Sequence, residues 1–196
     1  MTLWPTERSR NGGVDEIPLP FAPTADRRGA RPGRLWLCGK HYIGPDPEVA
    51  LEQVGATTAV CLTQRFELDD RYPDYVRWLD ANAGGRALWF PIPDLHAPPA
   101  DRAVAMVGDI VGRLTDGEQL LMHCGAGIGR AGTTAVAVLM ALGSAKDDAL
   151  HTVAVHRPMA GPEVGSQAAL IEELARRWTS GRFDARRSQG PGRVGG

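Results

Sequence analysis

Cys124, Arg130 and the glycines between them are the residues of this chain whose types and spacing point most directly to chemistry. They lie in HCGAGIGRAG, residues 123–132, a stretch that parses in two ways. Gly127, Gly129 and Gly132 make the pattern G-x-G-x-x-G, which lets backbone amides approach the pyrophosphate of a dinucleotide. Cys124 and Arg130 make the pattern C-x5-R, which sets a thiol and a guanidinium on one loop. Both arrangements run into a helix N-terminus, whose free N–H groups favour an anion. The glycines alone therefore do not choose between them.

The remaining residues favour the second parse. A dinucleotide motif should open an early βαβ unit, yet most of the chain precedes His123. An acidic residue should close the next strand. Asp147 and Asp148 have about that spacing but stand in SAKDDAL, which reads as a helix start, and no convincing strand follows residue 132. There is no G-K-[ST] either. The C-x5-R parse uses what the other leaves idle. A thiol beside loop amides and a helix N-terminus ionises readily and attacks phosphorus as a soft nucleophile. An arginine folded back over the loop offers a planar fork that matches two phosphate oxygens and offsets transition-state charge. Gly125, Ala126, Gly127, Ile128 and Gly129 would turn their amides to the same phosphate. Cys38 and Cys61, inside apolar strands, read instead as core thiols.

Such a loop must be held by strands and helices in alternation. Strands are expected over 34–38, 58–62, 86–91 and 119–123. Helices are expected over 46–54, with Asp46 as cap and Pro47 in the first turn, and over 72–81, 101–114, 129–142 and 163–178, with one more between the last two. This alternation implies an α/β layer structure whose ligands sit beyond the carboxyl ends of the strands, where HCGAGIGRAG lies. Residues 1–33, rich in proline and glycine, read as an irregular N-terminal arm. Residues 34–180 read as one folded domain, and 181–196 as a flexible, basic, glycine-rich tail.

The whole composition narrows the function further. With 22 basic and 23 acidic residues in 196, neither nucleic acid nor an anionic membrane is expected as a partner. Three widely spaced cysteines without a C-x-x-C pair suit a reducing compartment, and no signal peptide or membrane span is evident, so a cytoplasmic protein is expected. The five histidines form no metal-ligand cluster.

HCGAGIGRAG resembles the active-site signature of the cysteine-dependent protein tyrosine phosphatases, H-C-x-x-G-x-x-R-[ST]. The span from about 34 to 178 is similar in element order to their small dual-specificity-like branch. The resemblance implies a phosphatase-like α/β fold with a central, mostly parallel sheet of about four to five strands flanked by helices. It also implies hydrolysis of a phosphorylated protein or small phosphomonoester through a phosphocysteine, without metal or cofactor. Such chemistry needs a carboxylic acid for the leaving oxygen. Asp94, in PIPDLHAPP after the third strand, resembles the family's general acid in context and in its interval to Cys124. Asp101 fits better as a helix cap. His123 is expected to be buried and to hold the loop. Gln167 resembles a polar residue that the family places near the phosphate.

One position departs from the signature. Ala131 stands where the family has Ser or Thr, whose hydroxyl would donate to the sulfur. Thr133 or Thr134 is a possible substitute, and a slow enzyme is expected. The alternatives are a pseudophosphatase that captures phosphoprotein without turnover and, further off, an NAD-dependent oxidoreductase. The loop interior carries no lysine, which favours a monophosphate over an inositol polyphosphate. Cys61 is a candidate redox partner for Cys124.

Overall fold

The computed structural model describes residues 13–20 and 33–179. The remainder of the expected arm and all of the expected tail lie outside the described residues. Five strands form one sheet in the order β1-β2-β5-β3-β4. These are β1 (Asp15–Ile17), β2 (Arg34–Gly39), β3 (Thr58–Cys61), β4 (Ala87–Trp89) and β5 (Gln119–Cys124). The last four run parallel, and β1 pairs antiparallel with β2 at the edge. The α/β class and the mostly parallel sheet agree with expectation.

Strand β1 does not. It lies within the stretch expected to be irregular, and its three residues are too few to show a period in sequence. Its register on β2, Asp15 opposite Leu37 and Ile17 opposite Leu35, is what orders it.

Eight helices are described: α1 (Lys40–Ile43), α2 (Pro47–Val54), α3 (Phe66–Asp69), α4 (Pro73–Ala81), α5 (Ala100–Thr115), α6 (Gly129–Ala141), α7 (Lys146–His156) and α8 (Gly165–Thr179). Asp46 caps α2 through Val49 N at 3.1 Å, and Pro47 follows in the first turn. Asp101, by contrast, is not a cap. It sits inside the first turn of α5, where its carboxylate takes Arg177 at 2.6 Å.

Alternation along β5 divides the core into two layers. Leu120, Met122 and Cys124 pack with α5 to α8, through residues such as Val107, Ile110, Val136 and Leu174. Leu121 packs on the other face with Leu51, Leu68, Tyr75 and Leu79. Helix α6 is buried almost all round, which explains its near-continuous apolar sequence. Because β5 is central and parallel to its neighbours β2 and β3, its carboxyl end opens into the crevice that an α/β sheet offers to ligands.

Candidate active site

Residues 125–129 leave β5 and enter α6 as a loop, and the carbonyls of residues 125–128 are each held by a donor outside the loop. Lys40 N donates to Gly125 O at 2.9 Å. Arg157 donates to Ala126 O at 2.9 Å and to Gly127 O at 2.7 Å. Ile128 O accepts from Gly132 N at 2.8 Å and Gly161 N at 3.3 Å. No peptide bond among the described residues is cis. In a trans peptide the N–H points opposite to the C=O, so the amides of Ala126, Gly127, Ile128 and Gly129 turn inward. They form a cradle of donors at the N-terminus of α6, suited to an anion.

Two glycines are required for this shape. Gly127 has φ +74°, and a Cβ there would overlap Cys38 O. A Cβ on Gly132 would overlap Gly161 N, where the Ala160–Gly161 turn packs against α6.

Arg157 holds the loop from beneath and is fully buried. Besides the two loop carbonyls it donates to Leu37 O at 3.2 Å and Gly13 O at 3.1 Å, and it pairs with Asp15 Oδ2 at 2.6 Å. The edge strand thus supplies the counter-charge for the loop's clamp.

Arg130 folds back over the front of the loop at 2% side-chain exposure, and its Nη2 lies against Gly125. Its terminal nitrogens take Glu67 bidentately at 2.6 and 2.8 Å, Ile92 O at 2.8 Å and Asp94 Oδ1 at 3.0 Å. Burial works to raise the Glu67 carboxyl, but Arg130, the Gln64 N–H and Lys40 outweigh it and leave it below the ordinary glutamate value. The loop thus brings Cys124, Arg130 and Asp94 to one end of the sheet, with Asp94 exposed at the rim and Cys124 buried at the base.

The acid-bearing loop is anchored at its backbone. His96 Nδ1 donates to Asp94 O at 2.6 Å, and Gln167 Nε2 donates to His96 O at 3.3 Å. Gln167 is 1% exposed, and its Oε1 accepts from Glu163 N at 2.8 Å and Thr133 Oγ1 at 3.4 Å. Its amide thus ties the acid loop to α6, using one of its two N–H donors.

His123 is likewise behind the cradle rather than in it, since adjacent strand residues point to opposite faces. Its Nε2 meets Tyr75 Oη at 2.7 Å and its Nδ1 meets Cys124 O at 3.3 Å. A carbonyl only accepts, so Nδ1 carries the proton and Tyr75 donates to Nε2. Burial pushes His123 down to about 4, keeping the ring neutral.

The same alternation removes Cys61 as a partner for Cys124. Cys38 and Cys61 both register with His123 and pack in the layer away from Cys124. Cys61 Sγ lies 3.2 Å from Thr63 Oγ1, and burial pushes its thiol up to about 12.

Glu163 was expected only as the first residue of the last helix, which instead begins at Gly165. Its carboxylate lies against Gly129 and accepts that residue's N–H, occupying the end of the cradle. Burial, and then the nearby charge of Asp94, raise its carboxyl above the ordinary value. A carboxylate on a cradle amide is what an anion-binding loop should attract.

Neither threonine replaces the hydroxyl missing at Ala131. Thr134 Oγ1 donates to Arg130 O at 2.9 Å, while Thr133 is held by Gln167. Glu67, Arg157, Asp15 and Glu163 escape sequence reasoning because each is an isolated charge in a helix, strand or loop, distant in sequence from the motif.

Residues 32–175 match the family model described as "Swiss Army Knife protein, DSP-PTPase phosphatase domain". The chain belongs to this family. No curated protein matches it. Among solved structures, the phosphatase domain is similar to Tk-PTP in its active form, with 28% identity over 81% of this chain and 98% of that one, at a TM-score of 0.58. A point variant of Tk-PTP matches at 31% identity over 69% of this chain and 87% of that one, at 0.57. Kinase associated phosphatase, with its catalytic-site cysteine changed to serine, shares the fold at 19% identity over 76% and 89%, at 0.63. In this phosphatase domain no strand follows β5 among the described residues, so the second half of a dinucleotide-binding sheet is missing. No helix of the described residues is long and apolar enough to cross a membrane.

Proposed function

We propose that this protein is a phosphomonoester hydrolase of the tyrosine or dual-specificity type, acting through a phosphocysteine at Cys124. The convergence of Cys124, Arg130 and Asp94 at one anion cradle, with Asp94 Oδ1 3.0 Å from the Arg130 guanidinium, carries this conclusion. The cradle amides and Arg130 hold the phosphoryl oxygens and stabilise charge as it develops. Cys124 Sγ bonds to phosphorus as the ester oxygen departs, and Asp94 protonates that oxygen. Water then attacks the phosphocysteine, Asp94 takes back a proton, and inorganic phosphate leaves with the sulfur restored. The similarity to Tk-PTP in its active form supports this sequence. The catalytic unit is residues 34–180 with β1 added, because Asp15 braces the loop through Arg157.

Without a hydroxyl at Ala131, departure of the sulfur is the slow step. Hydrolysis of p-nitrophenyl phosphate tests the proposal. Steady turnover by the wild type and none by Cys124→Ser is expected, with phosphate trapped on Cys124 after an acid quench. A wild type that binds phosphopeptide but never turns it over would instead identify a capture module.

A further inference from the structure

Among the described residues, three of the five large apolar side chains that are exposed stand next in sequence to residues, or to a turn, that meet the cradle or Arg130. Phe66, 70% exposed, precedes Glu67, the bidentate partner of Arg130. Leu95, 54% exposed, follows Asp94. Met159, 56% exposed, precedes the Ala160–Gly161 turn that holds Ile128 O and packs against Gly132. Leu95 and Met159 are also the only non-glycine residues with positive φ among those described, at 56° and 71°. Asparagine or glycine would suit that backbone better, and water would favour a polar side chain. Neither folding nor solvation therefore accounts for large apolar groups there. Strained backbone and exposed apolar surface beside a site are both marks of ligand contact.

The charges around the cradle define what that ligand carries. Glu67, Asp94 and Glu163 place three carboxyls about a single Arg130. Lys40 Nζ is engaged at Glu67 O, at 2.9 Å, and Arg65 is paired with Asp80 and lies over Trp89. One phosphate is accommodated by the amides and Arg130, whereas a second anionic group close by meets carboxylates. The same carboxyls disfavour docking on an anionic lipid surface.

We propose that Phe66, Leu95 and Met159 form an apolar collar that receives the residues flanking a singly phosphorylated side chain of a peptide, and that those residues are apolar. This rests on the phosphatase function proposed above and specifies its substrate class. Turnover is compared for two phosphotyrosine peptides, one flanked by leucine and valine and one by aspartate, with p-nitrophenyl phosphate as the baseline. The wild type should favour the apolar peptide at least tenfold in kcat/KM. Phe66→Ser and Met159→Asn should each cut that preference about threefold, leave p-nitrophenyl phosphate turnover unchanged and, at 159, hold or raise the melting temperature. A purely structural role for Met159 would instead give no change in preference.

Equal rates on the two peptides, a preference that survives combining Phe66→Ser with Met159→Asn, or faster turnover of phosphatidic acid vesicles or inositol polyphosphate would each overturn the collar. Binding of the same peptides to the Cys124→Ser protein, read by fluorescence anisotropy, repeats the comparison without turnover. An inactive wild type whose Cys124→Ser form keeps the tenfold binding preference would therefore sink the catalytic proposal and support the collar.

Discussion

Two buried arginines flank the same five-residue loop, and they are built for different work. Arg130, in front, holds carboxylates that face the cradle and has Cys124 within its electrostatic reach. Arg157, behind, holds backbone carbonyls of the loop and of β2, and takes its counter-charge from the edge strand. The front arginine is poised to exchange protein partners for a phosphate. The rear one has five acceptors and no solvent exposure, so it fixes shape. A loop that binds an anion with its N–H groups must have its C=O groups satisfied elsewhere, and this fold gives two of the four carbonyls of residues 125–128 to one side chain.

Breaking the rear grip should have the largest effect on folding. Arg157→Met leaves Asp15 uncompensated and removes the Arg157 hydrogen bond from four carbonyls, those of Gly13, Leu37, Ala126 and Gly127. Loss of a buried pair costs about 3–5 kcal/mol, which urea unfolding at neutral pH should detect. If the variant unfolds like the wild type, the two arginines are not divided as described. Breaking the front grip should spare the fold and strike the chemistry. Arg130→Lys should lower kcat by roughly 10²–10³, about 3–4 kcal/mol of activation, with the circular dichroism melt shifted far less than for Arg157→Met.

A third test uses pH. His123 lies behind the cradle with its value pushed by burial to about 4, against an ordinary 6.5. The unfolded chain binds the proton first, so stability is full above about pH 6.5 and falls as pH drops towards 4. The decline from this residue is about 3 kcal/mol. Glu67 has the opposite requirement at the front. Its carboxyl is held below its ordinary value, so its pairing with Arg130 persists above about 4.5 and is lost only in stronger acid. Unfolding curves from pH 7 to 4 should therefore show loss of stability beginning well before the Arg130–Glu67 pair breaks. A flat profile over that range would contradict the neutral, buried ring.

The smallest effect is expected at Ala131. Ala131→Ser restores a donor for the sulfur, and a single such hydrogen bond is worth about 0.5–1.5 kcal/mol, or a few-fold to about tenfold in turnover. Unchanged steady-state rates would place the slow step elsewhere.

The two arginines also mark how far the sequence could be read. Arg130 was legible because chemistry fixes its interval from Cys124, and the loop glycines between them add their own signal. The parallel sheet, the buried α6 and the Asp46 cap were legible from periodicity and local hydrogen bonding. Arg157 was not, because nothing in HRPMAG distinguishes a loop clamp from a surface charge; its partners come from β1, β2 and the loop. Gln167 was noticed, but its hold on the acid loop was not, since a helix position indicates a face and not which loop lies against it. Cys61 was legible as a core thiol, but its face relative to Cys124 was not, because the register of β3 on β5, which sets the face of each thiol, is a property of the sheet.

The contact between Gly13 and Arg157 spans 144 residues. As a ribosome delivers the chain, residues near the start must wait for α7 to emerge before this contact can form. Closing so long a loop carries an entropic cost that local contacts do not. Competence for anion capture is thus acquired late in folding. A nascent chain halted just after α6 would possess the nucleophile, the guanidinium and the acid, yet lack the means to shape them into a receptor.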